Sequence, residues 1–164
     1  MIILGIDPGF ADMGYGLIET AGGKDRCLAY GSVRTPAGSP IAERLATLYR
    51  ELEAIIAQYR PQRAGIEKLF FSTNAKTAML VAEARGVIRL CLERNDLGCV
   101  EVGPAEVKIA VCGHGAAEKP DVQKMTRVLL GLAEIPRPDD AADALAVAIT
   151  VAHTMVAAEK SARL

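Results

Sequence analysis

The chain has 164 residues, 51% of them hydrophobic, which is enough for one compact domain with a sizeable core and leaves little for a second. Its formal charge of −1, from 19 basic and 20 acidic residues, neither selects nor rejects a polyanionic partner, so local distribution must decide. No run of about 18 uncharged apolar residues occurs, which excludes a helical membrane span and makes a soluble, cytoplasmic chain the expectation.

Ile2 to Asp7 is a short apolar run, and its interruption by Asp7 makes it a strand rather than a leader peptide. "PGFADMG" then reads as turns, and "YGLIE" alternates like a second strand, forming a hairpin with the first. A Gly-Gly-Lys-Asp turn leads to a third strand, Cys27 to Thr35, closed by Pro36, Gly38 and Pro40. Residues 41–59 place Ile41, Leu45, Leu48, Leu52, Ile55, Ile56 and Tyr59 at helical spacing, with Glu and Arg opposite. After Pro61, "RAGIEKLF" is a second apolar run that ends on an acid, Glu67. Residues 74–94 predict a long Ala-rich helix with Gly86 as its weak point. "GCVEVGP" is a fifth strand, "AEVKIAVCG" a short helix, "HGAAE" a loop and "KPDVQKMTRVLLGLA" another helix. The last helix begins at "DDAADALAVAIT", and residues 159–164 are expected to fray as a polar tail behind a single domain of residues 1–158.

Strands in a block of three, then strands alternating with helices, predict an α/β fold with a mixed five-stranded sheet flanked by helices. The four cysteines, Cys27, Cys91, Cys99 and Cys112, lie on apolar segments without a CxxC pair and read as reduced core thiols. His114 and His153 have no partner at zinc-ligand spacing.

Three acidic sites stand out. Asp7 ends the first strand, Glu67 ends the fourth, and Asp140 and Asp143 sit three apart at the start of the last helix, on one face. If the first and fourth strands are neighbours, Asp7 and Glu67 project near each other. Carboxylates that converge in a partly buried site repel one another unless divalent cations neutralise them, and an oxygen-only donor set favours Mg²⁺ or Mn²⁺ over zinc. Two such ions suit in-line hydrolysis of a phosphodiester. Taken singly, each acid has a plainer reading: Asp7 as a turn initiator before Pro-Gly, Glu67 as a surface acid, and Asp139, Asp140 and Asp143 as helix-start acids favoured by the macrodipole.

"ILGIDPG…GYG", "IEKLF", "NA" and "ARGV", "VK", "GHGAAEK" with "VQ", and "DAADALAVAIT" occur in one order from Ile2 to about His153. Together they closely resemble the RuvC family of Holliday-junction resolvases. The resemblance implies a ribonuclease-H-like fold and metal-binding catalytic acids at Asp7, Glu67, Asp140 and Asp143, with two Mg²⁺ per site that Mn²⁺ replaces. It also implies Lys108 and Lys119 beside the scissile strand, Phe70 stacking on opened bases, and Asn74, Lys76 and Arg85 on the DNA backbone. The implied activity is paired, symmetric nicking of a four-way DNA junction by a homodimer, leaving 5′-phosphate and 3′-hydroxyl ends. The resemblance further implies work beside a branch-migration motor of the RuvA-RuvB type, in recombination and repair. The dimer follows from the two-fold symmetry of the junction, with the helix of residues 74–94 as part of its interface.

Three positions depart from the family pattern: Asp121 where a glutamine is usual, Asp12 as an added acid in the first loop, and Asp139 beside Asp140. Two alternatives stay open at this level, a same-fold nuclease that trims RNA and a junction-binding module without catalysis.

Overall fold

The computed structural model describes residues 1–68 and 75–161, and of these the side chains at residues 75, 76 and 156–161 are left aside. In chain order the elements are β1 (Ile2–Asp7), β2 (Asp12–Ala21), β3 (Lys24–Arg34), α1 (Ile41–Tyr59), β4 (Arg63–Glu67), α2 (Ala75–Arg94), β5 (Cys99–Val102), α3 (Pro104–Cys112), α4 (Lys119–Leu129) and α5 (Asp139–Ser161). The five strands form one sheet in the order β3-β2-β1-β4-β5. β1 is antiparallel to β2 and parallel to β4, so the sheet is mixed, as the succession of strands and helices predicts.

β1 is central and covered on both faces, which is why it reads as a continuous apolar run rather than an alternating one. Ile3, Leu4 and Ile6 are fully buried. Leu4 and Ile6 join α1 and α2 in one core, through Leu48, Leu52, Ala84, Ile88 and Leu92. Ile3 faces the other way, into a core built with α3, α4 and α5. By the period of two, Gly5 and Asp7 share the face of Ile3.

Two strands start earlier than their sequences suggest. β2 begins at Asp12, so Asp12, Met13 and Gly14 of the expected "PGFADMG" turn are paired strand, with Gly14 opposite Asp7. β3 begins at Lys24, because the turn needs only Gly22 and Gly23, both at positive φ (59° and 77°) as a two-residue hairpin loop of the mirror-image type requires. At the other end α5 continues to Ser161, so residues 159–161, expected as tail, are helical. The cysteines are free, yet only Cys91 is buried, and Cys99 on the edge strand β5 is exposed and not a core thiol.

α5 lies directly on the sheet. Gly16, Gly5 and Gly65 pair in register across β2, β1 and β4, forming a row without side chains. A Cβ built on Gly5 meets the Ala144 carbonyl at 2.0 Å, one on Gly16 meets Leu145 at 2.7 Å, and one on Gly65 meets Val151 at 2.5 Å. The stretch of helix seated there is apolar on every side, as a central helix must be, with Ala144 to Ile149 at most 1% exposed. Gly5→Ala is therefore expected to destabilise the protein by about 3 kcal/mol, measured by urea unfolding. Gly98→Ala, where an added methyl meets nothing within 4 Å, should shift stability by less than about 0.5 kcal/mol.

Candidate active site

Strand parity and register bring the first two acids together. Ile6 pairs with Ile66, so the next residues, Asp7 and Glu67, end neighbouring parallel strands on the face that carries α5. Their carboxyls lie close enough for each to act on the titration of the other. The third site arrives through another glycine: a Cβ on Gly14, the residue opposite Asp7, would stand 2.0 Å from the Asp140 carbonyl. The first turn of α5 is thus pressed against β2 beside Asp7, and one turn on, Asp143 faces the same place. A cleft of about 350 Å³ opens there, lined by Glu67, Lys108, Lys119 and Asp143 above an apolar floor that includes Val107 and Val122.

Burial dominates the electrostatics. It pushes the Asp7 carboxyl up to about 8, with the charges of Glu67, Asp143 and Asp140 adding to the effect and Lys119 opposing it. Burial also raises Glu67, reinforced by Asp143 and offset in part by the hydrogen bond from Asp7. Asp143 is raised by burial as well, against the pull of Lys119, whose Nζ lies 2.6 Å from its Oδ2. Burial works against the Lys119 ammonium, but the Asp143 carboxylate outweighs it and holds the lysine above its ordinary value.

The Lys119 ammonium is the cation paired with this cluster, through Asp143. Among the described residues no three His, Cys, Asp or Glu side chains stand ready-made around one cation. The chemistry of the donor set nevertheless fits a hard divalent ion: the acids are carboxylates, with no thiol or imidazole among them.

The departures from the family pattern have local explanations. Asp139 is ion-paired with Arg137, yet its charge still reaches Asp143 and Lys119, while the charge of Asp140 is felt at both Asp7 and Asp143. Asp12 is drawn to β3 by Arg34 Nε at 2.9 Å. Asp121 accepts from the Glu118 backbone N–H at 3.3 Å and completes the N-terminal cap of α4. Lys108 and Lys119 both reach the cleft. Arg85 does not point to solvent as a phosphate contact requires. It is 9% exposed, with Nη2 2.9 Å from Glu101 Oε1 and Nη1 donating to the main-chain carbonyl of Glu67. The expectations at Phe70, Asn74 and the Lys76 side chain lie outside the described residues. The positions that sequence reasoning passed over are Gly14, Gly5, Gly16 and Gly65; glycine inside an otherwise apolar strand was the available signal of a close backbone approach.

A mixed sheet of this order, with carboxylates at the ends of β1 and β4 and at the start of a helix laid across them, defines a ribonuclease-H-like protein with a nuclease-type acidic centre. Residues 3–151 match the family model for "Crossover junction endodeoxyribonuclease RuvC". A curated relative of that name from Heliobacterium modesticaldum is 57% identical over 155 residues, 94% of this chain and 96% of its own. The solved structure of Thermus thermophilus RuvC superposes with a TM-score of 0.89 at 34% identity, covering 96% of this chain and 97% of that one. T. thermophilus RuvC in complex with a Holliday junction substrate superposes at 0.85 with 32% identity, covering 93% of each chain. The chain belongs to the RuvC family.

The raised carboxyls fix a pH dependence. Asp7 ordinarily titrates at 3.8 and here at about 8, so between those values the folded protein keeps a proton that the unfolded chain has released, and stability falls as pH rises. In EDTA, Asp7→Asn should melt higher than the parent at about pH 8, with the gain vanishing towards about pH 4. An equal melting point at the higher pH would mean that Asp7 is ionised and held by donors.

Proposed function

We propose that this chain is a structure-selective endonuclease that resolves four-way DNA junctions by paired, symmetric nicking. The observation that carries this is the convergence of Glu67 and Asp143 with Lys108 and Lys119 at one cleft, beside the buried Asp7, in a chain of RuvC sequence and fold. The family likeness to a protein solved on a Holliday junction supports the substrate.

In this reading Asp7, Glu67, Asp140 and Asp143 hold divalent ions, Mg²⁺ with Mn²⁺ as a substitute. When bound, these supply a water nucleophile at neutral pH and charge stabilisation for the attacking and departing oxygens. Burial of the carboxyls keeps the donors in a water-poor cleft where their charge acts strongly. Asp143 gives up its ion pair with Lys119, and the freed ammonium, with that of Lys108, holds non-bridging phosphate oxygens as charge builds on them. Cleavage leaves 5′-phosphate and 3′-hydroxyl ends.

A two-fold junction calls for a two-fold enzyme. α2 presents an exposed apolar face suited to a second copy: Met79 and Leu90 are 68% and 55% exposed, and a Cβ on Gly86 between them meets nothing within 4 Å. The single domain of residues 1–158 serves as the protomer of a homodimer, acting on cytoplasmic DNA beside a RuvA-RuvB-type branch-migration motor. No described helix is long and apolar enough to cross a membrane. Met79→Glu combined with Leu90→Glu should sediment as a monomer where the parent sediments as a dimer.

The decisive assay compares a synthetic mobile four-way junction with linear duplex of the same sequence on a denaturing gel. Mg²⁺ should give paired nicks in the junction alone, and Asp7→Asn should lower the rate at least about a hundredfold while still binding the junction. Binding without cleavage by the parent protein would indicate a junction-binding module, and cleavage of RNA instead would indicate a processing nuclease.

A further inference from the structure

Behind the cleft, on the opposite face of the sheet, Arg85 sits in a place that a surface cation would not occupy. Its neighbours along α2, Ala84 and Ile88, belong to the core beneath α1. Its guanidinium spans two strands, pairing with Glu101 of β5 at 2.9 Å and donating to the Glu67 carbonyl at the end of β4. Arg89 Nη1 closes on the same Glu101 oxygen at 3.1 Å, which ties that carboxylate to α2 twice. Burying a cation is costly unless it is paired and its donors are used, so its retention under the strand end has a structural consequence.

That consequence concerns Glu67. It is the last residue of β4, and a strand side chain points to one face or the other with the twist of a single residue. We propose that Arg85 is a positioning residue: by holding the Glu67 main-chain carbonyl from behind, with Glu101 fixing the guanidinium, it keeps the Glu67 carboxylate turned to Asp7 across the sheet. The inference rests on the reading of Glu67 as a metal-holding acid. It gives Arg85 no contact with DNA. A fork is needed for the task, since one arm meets a carbonyl and the other a carboxylate, and a lysine ammonium cannot span both in a fixed plane.

The test uses the full-length protein with Arg85→Met, Arg85→Lys and Glu67→Gln. Three quantities are read: single-turnover cleavage of a four-way junction, junction affinity and its salt dependence in EDTA, and the rise in melting temperature on adding Mg²⁺. Arg85→Met and Arg85→Lys should cleave about tenfold slower or worse and show a smaller Mg²⁺-induced rise. Their affinity and salt slope in EDTA should match the parent. If Arg85→Met does not fold, Arg85→Met with Glu101→Leu removes the pair together and should show the same catalytic loss. Full cleavage rate and an undiminished Mg²⁺ response would overturn the proposal. So would a loss confined to affinity with the salt slope reduced by about 1, the mark of a phosphate contact. Glu67→Gln separates the two layers: if it cleaves normally, the role of Glu67 itself is wrong, whereas an inactive Glu67→Gln beside a fully active Arg85→Met sinks only the inference about Arg85.

Discussion

The contact of α5 with bare backbone across three strands organises this molecule. Because Gly16, Gly5 and Gly65 stand in one row, the helix settles onto main chain where side chains would ordinarily hold it off. Ala144 and Ala148 on the helix side complete the close approach. The depth and rotation of α5 then follow, and with them the position of its first turn, which Gly14 lets rest beside Asp7. A helix held a few ångströms higher would carry Asp140 and Asp143 out of reach of β1 and β4. The core and the acidic centre are consequently one piece, and the packing of small residues is what gives the acids a common focus.

That focus stores an electrostatic conflict. Burial and mutual repulsion push Asp7, Glu67 and Asp143 towards their protonated forms, and the Lys119 ammonium on Asp143 relieves part of the strain. A site that is destabilising in isolation and is relieved by cations suits a function that depends on binding them, and proteins commonly accept such local cost where chemistry demands it. The same cleft sets two lysines, Lys108 and Lys119, beside the acids in a chain of nearly neutral overall charge.

The sheet divides the labour. One face carries α5 and the acids; the other carries α1, α2 and a core that includes Arg85. The site opens at the carboxyl ends of the parallel strands β1 and β4, the usual place for a crevice in open sheets of this kind. Ionic contacts on the far face, from Arg85 and Arg89 to Glu101, brace the strand end from which Glu67 projects.

The succession of elements was legible in the sequence because each carries its own period: the apolar run of β1, the helical spacing of residues 41–59, the Asp-rich start of α5. The acids were legible because a carboxylate at the end of a buried strand lacks a packing explanation. Strand pairing settled what spacing alone could not, namely that β1 and β4 are neighbours and that Asp7 and Glu67 share a face. The early starts of β2 and β3 were hidden because glycine weakens the alternating pattern at the very positions where α5 or a tight turn needs no side chain. Arg85 was misplaced for a related reason: on a helix an arginine reads as a surface cation, and only the packing of α2 against β4 and β5 buries it and supplies Glu101 and a carbonyl. The sequence by itself determined which local structures form and which residues bring charge, since these depend on short-range periodicity and chemistry. Only the tertiary structure decided which charges meet and which are buried, because those depend on strand order and on how closely a helix from the end of the chain approaches strands from its beginning.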